Sequence, residues 1–156
     1  MRYLIYTDGC SLGNPGPSGA GIAIYKISGA GDAPLLFKEY AFPLGTMTNN
    51  QAEYSALVFA LKKMKQLLGK DAINSVEIEV RADSELLIKQ LNHQYKIIDP
   101  KVKELFFEVW NLLVDFGNVS FISIPREQNK RADALSKEAG YANNLSSKNS
   151  SLFNES

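Results

Sequence analysis

The chain has 156 residues, 45% apolar and 22% charged, and its 17 basic and 17 acidic side chains cancel to a formal net charge of zero. This is the composition of one ordinary globular domain, large enough to bury roughly two-thirds of its unfolded surface. It excludes a membrane span, since no apolar run approaches the roughly 20 residues a bilayer requires.

The N-terminus lacks the basic segment, apolar core and small-residue cleavage site of a secretion signal. A single cysteine, Cys10, excludes an internal disulfide and fits a reducing cytoplasm, where the chain is expected to act. Zero net charge counts mildly against a nucleic-acid binder, but the charge is unevenly spread. Lys62, Lys63 and Lys65 share one segment, while Lys89, Lys96, Lys101 and Lys103 cluster in a later one. Such runs are more often solvated faces than binding sites.

Three strands are expected first, over residues 2–7, 20–27 and 33–42, the second bounded by glycines. Residues 49–68 carry helical periodicity, with Leu57, Leu61, Met64 and Leu68 on one face and lysines opposite. Thr48 with Gln51 three residues on makes a capping box that marks where this helix begins.

Residues 75–82 alternate and predict a fourth strand, followed by a short helix from Ser84 to Asn92. Pro100 opens a longer helix reaching about Phe116, with Leu105, Val109, Leu112 and Leu113 as its core stripe and Trp110 assigned to the core. Gly117 and Asn118 turn into a fifth strand, Val119 to Ile124, which Pro125 stops. A final helix runs from Gln128 to Ala139. The fold class is therefore α/β, a five-stranded mixed sheet flanked by helices. Residues 1–141 form the domain. Residues 142–156 are an Asn- and Ser-rich polar tail of the kind that is ordinarily disordered, although Leu145, Leu152 or Phe153 could dock it. His93, the one histidine, reads as a surface residue.

Four acidic residues stand out: Asp8 after the apolar run from Tyr3, Glu53 one turn into the capped helix, Asp83 ending the alternating strand, and Asp133 in the last helix. Each could also play an ordinary structural part. Asp8 could close an Asx-turn, Glu53 could pair with a lysine, Asp83 could cap a helix, and Asp133 could pair with Lys137 one turn along. Carboxylates converging from the ends of adjacent strands repel, and a cation offsets that repulsion. An all-oxygen set without His or Cys points to Mg²⁺ or Mn²⁺ rather than zinc, and so to metal-dependent phosphodiester chemistry.

Four motifs in this order carry a resemblance: Tyr6-Thr7-Asp8-Gly9, Thr48-Asn49-Asn50-Gln51-Ala52-Glu53, Ala82-Asp83-Ser84 and Asn129-Lys130-Arg131-Ala132-Asp133. Together they resemble type 1 ribonuclease H, over Met1 to about Tyr141. The resemblance implies a ribonuclease H-like fold and an endonuclease that cuts the RNA strand of RNA/DNA hybrids, leaving 3′-hydroxyl and 5′-phosphate ends. It implies two Mg²⁺ ions, with Mn²⁺ as a substitute. Asp8 would bridge them, Asp133 would help hold the ion that activates water, and Glu53 and Asp83 would hold the other.

The resemblance also assigns substrate contacts. Asn14, Asn49, Asn50 and the turn Cys10, Ser11 and Gly13, with Gly9 before it, would meet the minor groove of the hybrid, where RNA shows its 2′-hydroxyl. Glu53 would also accept from a 2′-hydroxyl, and Thr48 would grip a DNA phosphate at a helix N-terminus. Asn129 completes the expected substrate set.

Two departures stand against the family pattern. The loop histidine before the last acidic motif is missing, with Arg126 or Glu127 as the candidate replacement. The long basic protrusion is reduced to Tyr95 through Lys103. That leaves RNA/RNA duplex cleavage open as a second activity, and a silent hybrid-binding module as a third reading. The chain is expected to be a monomer off the membrane.

Overall fold

The computed structural model describes the backbone of residues 1–154 and the side chains of residues 1–145. Five strands form one mixed sheet in the order β3-β2-β1-β4-β5. They are β1 Arg2–Ser11, β2 Gly16–Ile27, β3 Leu35–Met47, β4 Glu77–Ala82 and β5 Asn118–Ser123. The first three are antiparallel neighbours, while β4 runs parallel to both β1 and β5. The helices are α1 Asn49–Leu68, α2 Lys70–Ile73, α3 Glu85–Leu91, α4 Pro100–Leu113 and α5 Lys130–Asn154.

The expected sheet and helices are all present, and α1 begins where its capping box places it. Thr48 Oγ1 accepts from the Gln51 amide at 3.3 Å, and Gln51 Oε1 accepts from the Thr48 amide at 3.1 Å. The helix then lays Leu57, Leu61 and Met64 wholly buried on the sheet. Each such side chain is worth about 1.5–3 kcal/mol, against about 0–1 for an exposed ion pair such as Lys62–Glu108. Burial therefore decides where α1 sits, and the pairs follow.

Several expected boundaries move. β1 runs on through Asp8 to Ser11, pairing with β2 down to Ser11–Ser18, so Asp8 lies inside a strand and no Asx-turn forms there. On the other side, the β1–β4 ladder stops at Tyr6–Arg81. Asp8 thus stands just past the end of one ladder while held in another. Trp110 is 55% exposed, contrary to the core assignment. The buried stripe of α4 is Val102, Leu105 and Val109, and position 110 lies about 100° round the helix from Val109. Its indole meets Phe106 edge-on instead. His93 is exposed, as expected.

The last helix does not stop at Ala139 but continues to Asn154. Asn143 helps fasten it, donating to the Gly45 carbonyl at 2.9 Å and the Ser18 carbonyl at 3.3 Å. Leu145 is 61% exposed, and Leu152 and Phe153 lie outside the described side chains. Among the described residues, no helix is long and apolar enough to cross a membrane.

Candidate active site

Three close approaches assemble the site. Gly9 follows Asp8 on β1, and a Cβ there would collide with the backbone of Ala52 and the amide of Glu53. The absent side chain lets β1 touch α1, which brings Asp8 and Glu53 together. Across the sheet, β4 ends at Ala82, and Asp83 follows it on the parallel neighbour of β1. On the far face, side chains at Gly19 and Gly21 would collide with the backbone of α5 near Ala132 and Ser136. The helix can therefore lie flat on β2, which carries Asp133 to the same end of the sheet.

Asp8, Glu53 and Asp83 each offer a carboxylate oxygen, and these oxygens lie within 4.8 Å of one another. Asp8 is 5% exposed and Glu53 8%. Burial pushes the Asp8 carboxyl up to about 7, and the Asp83 and Asp133 charges push the same way, against a hydrogen bond from Ser136. Burial also raises Glu53 well above the usual carboxylate range, with Asp8 and Asp83 adding to it. Asp83 is raised by burial too, while a hydrogen bond from Asn129 and the Arg126 charge draw it down.

Asp133 is not within that triad of oxygens. It lines the same groove, with Oδ2 3.0 Å from Lys137 Nζ, so the i,i+4 ion pair that its position allows does form. Glu53 and Asp83 take no such ordinary part. Glu53 has no lysine partner among the described residues, and the cap of α3 is Ser84, which accepts from the Leu87 amide, rather than Asp83.

The triad fits a hard divalent cation. All its donors are oxygens, Asp8 and Asp83 raise the proton affinity of Glu53, and Glu53 Oε2 is buried with no hydrogen-bond partner. An acceptor left unpaired in a buried site costs about 1–3 kcal/mol unless something positive meets it. Mg²⁺ or Mn²⁺ suits such donors.

Around the triad the groove is lined by Gly9, Cys10, Ser11, Asn49 and Asn50, together with Ser84, Leu86, Arg126, Lys137 and Tyr141. The hairpin loop is locked to α1: Asn14 Oδ1 accepts from the Asn49 amide at 2.8 Å, and Asn49 Oδ1 accepts from the Ser11 amide at 3.1 Å. Asn14 sits at φ 39° beside Gly13 at φ 129°, joined to Pro15 by a cis peptide. Thr48 is adjacent, at the N-cap of α1. Asn50 Oδ1 is buried without a partner. Asn129 is 1% exposed, and its amide donates to the Thr7 carbonyl at 2.9 Å, tying the start of α5 to β1. Of the candidates for the missing histidine, Arg126 lines the groove, whereas Glu127 is exposed and not part of its wall.

Sequence reasoning named Lys137 only as the ion-pair partner of Asp133, and it missed Ser136. Ser136 is wholly buried and its hydroxyl donates to Asp8 Oδ2 at 2.5 Å. The signal was available: a serine breaks the apolar stripe Ala132, Leu135, Ala139 one turn after Asp133.

Known proteins share this architecture. A family model described as reverse transcriptase-like matches residues 6–139. The ribonuclease HI of Halobacterium salinarum is 40% identical over 138 residues, 88% of this chain, and the chain spans 64% of that protein's length. The crystal structure of RNase H1 from the same organism aligns with a TM-score of 0.78 at 37% identity, covering 89% of this chain and 97% of that one. LC11-RNase H1, solved in complex with an RNA/DNA hybrid, gives a TM-score of 0.78 at 39% identity, with 88% and 95% covered. Given a matching family model over most of its length and near-complete coverage of two RNase H1 structures, the chain belongs to the type 1 ribonuclease H family, within the reverse transcriptase-like group.

Proposed function

We propose that the chain is an endonuclease hydrolysing the RNA strand of RNA/DNA hybrids. The observation that carries this is the Asp8, Glu53 and Asp83 triad, with its unpaired Glu53 oxygen, at the floor of a groove walled by Asn49, Asn50 and the turn Cys10 to Ser11. The relative LC11-RNase H1 has been solved with such a hybrid, which supports the substrate class.

Asp8, Glu53, Asp83 and Asp133 would hold two Mg²⁺ ions, or Mn²⁺ in their place. Bound divalent ions supply Lewis-acid stabilisation of the charge that builds on the phosphate oxygens during an in-line displacement. The chain's own residues place the substrate. Asn50, with its unpaired buried carbonyl, and Glu53 meet the 2′-hydroxyl that marks RNA. Asn14, Asn49, Gly9, Cys10, Ser11 and Gly13 shape the minor-groove contact. Thr48 holds a DNA-strand phosphate at the start of α1, where free amides favour anions. Asn129 keeps the last acidic motif against β1. Water forms a bond to phosphorus and gives up one proton, the bond to the 3′ oxygen breaks, and that oxygen gains a proton. The ends left are a 3′-hydroxyl and a 5′-phosphate. Arg126, the groove-lining candidate, assists in place of the missing histidine.

The catalytic unit is residues 1–141, with residues 142–156 as a polar extension. It acts as a monomer, in the cytoplasm to which the lone free Cys10 is suited. The compact segment from Tyr95 to Lys103, in place of a long basic protrusion, keeps RNA/RNA duplexes as the second substrate to be tested. End-labelled RNA/DNA, RNA/RNA and DNA/DNA duplexes, each with Mg²⁺, Mn²⁺ or EDTA, test both. Cleavage confined to the RNA of the hybrid and abolished by EDTA is expected, and uncut hybrid at saturating Mg²⁺ overturns the proposal.

A further inference from the structure

The Ser136 hydroxyl is 128 residues from Asp8 in sequence yet 2.5 Å from its Oδ2. Serine inside a helix ordinarily returns its proton to a carbonyl three or four residues back. Here that acceptor is also in reach, the Asp133 carbonyl at 2.8 Å. One hydroxyl has one proton, and the carboxylate is both the nearer and the more strongly accepting partner. Ser136 is wholly buried, so no water competes for it.

The packing around Ser136 leaves it little freedom. Side chains at Gly19 and Gly21 would strike the Ser136 backbone, so the helix is seated directly on β2 at this turn. The Ser136 carbonyl in turn accepts from Cys10 Sγ at 3.1 Å, a second link between this residue and β1. Ser136 and Asp133 lie one turn apart on a single helix, so the bond to Asp8 sets the helical carboxylate and the strand carboxylate relative to each other. With one lone pair of Oδ2 engaged from the helix side, the Asp8 carboxylate resists rotation while its remaining lone pairs serve the triad.

We propose that Ser136 is a positioning residue for divalent-metal binding, its buried hydroxyl fixing the Asp8 carboxylate against α5 and so against Asp133. The role rests on the metal-dependent reading above. It concerns a residue that touches neither substrate nor ion, and it acts only through Asp8.

Calorimetric titration of Mn²⁺ into the full chain without nucleic acid tests it, comparing wild type with Ser136→Ala. Alanine is a good helix former and fits the site but leaves Asp8 Oδ2 without its donor, so thermal unfolding in EDTA should come earlier than in wild type while the variant still folds. Mn²⁺ affinity should fall at least about tenfold, the usual cost of losing a group that orients a metal ligand. The Mg²⁺ concentration giving half-maximal hybrid cleavage should rise in parallel, with KM for the hybrid unchanged. Unchanged Mn²⁺ affinity in Ser136→Ala would overturn the positioning role, including the case where the variant merely melts earlier, and would leave the nuclease proposal standing. Wild-type protein that neither binds Mn²⁺ nor cleaves hybrid would overturn both.

Discussion

The side-chain amide of Gln51 donates to Asp99 Oδ2 at 3.2 Å, joining the first turn of α1 to the N-cap of α4. The same glutamine closes the capping box with Thr48, and Asp99 Oδ1 accepts from the Lys101 amide at 2.8 Å. Thr48 and the lysine-bearing segment therefore share one hydrogen-bonded frame, although 53 positions separate Thr48 from Lys101 in the numbering.

That frame sharpens the role of the lysines. Lys62, Lys65 and Lys89 are committed to ion pairs with Glu108, Asp115 and Glu85, and Lys101 is paired at 3.5 Å with Glu104. Changing Lys96, Lys101 and Lys103 together to Ala should weaken hybrid binding about equally across sequences, since phosphate contacts read no bases. The slope of log affinity against log salt should become shallower by up to about 0.9 per lost contact. Fluorescence anisotropy in Ca²⁺ over a salt series measures it. An unchanged slope would make these lysines a solvated face.

The raised carboxyl of Asp8 links stability to pH. Unfolded, an Asp loses its proton near pH 4; in the metal-free fold Asp8 holds it to about 7. The folded state binds more protons across that window, so metal-free stability is fully present below about pH 4 and declines as pH rises to about 7. In EDTA the melting temperature should fall between pH 5 and 7.5. Asp8→Asn should flatten that fall and melt above wild type at pH 7.5, while losing nearly all hybrid cleavage. Near-normal turnover in this variant at saturating Mg²⁺ would remove Asp8 from the metal centre.

The two asparagines of the groove should separate. Asn50 offers a carbonyl with no partner, so Asn50→Ala should cost hybrid affinity several-fold, about 0.5–1.5 kcal/mol, and leave the melting temperature alone. Asn14 already accepts from the Asn49 amide, so Asn14→Ala should also lower stability by about 1 kcal/mol. Neither should abolish turnover. A variant as inactive as Asp8→Asn would mean the residue takes part in the chemistry.

Gly9→Ala tests the close approach that builds the triad. The added methyl meets the Ala52 backbone and the Glu53 amide, groups that cannot swing aside. Overpacking of this kind costs about 1–3 kcal/mol or more. Chemical denaturation should show that loss, and Mn²⁺ affinity should drop because β1 and α1 must part. Wild-type stability and metal affinity together would mean that the strand and helix can separate freely here.

The chain's own pattern determined which elements form and which chemistry they carry. Thr48 and Gln51 start α1, Pro100 starts α4, alternation makes β4, and the four acidic motifs fall on the elements assigned to them, because each signal is complete within a few neighbouring residues. Only the tertiary structure decided how those pieces meet. Asp8 lies inside β1 rather than after it because β2 goes on pairing where β4 stops, and Asp133 lies at the groove wall with Lys137 rather than in the triad. Trp110 turns outward because Val102, Leu105 and Val109 already fill the face that α4 buries. The polar stretch after Ala139 is helical, and Asn143 anchors it to the carbonyls of Ser18 and Gly45. Ser136 reaches Asp8 across 128 residues only because Gly19 and Gly21 let a helix lie on the sheet without intervening side chains. Contacts of that kind depend on the volume left between elements, which no local pattern of residues encodes.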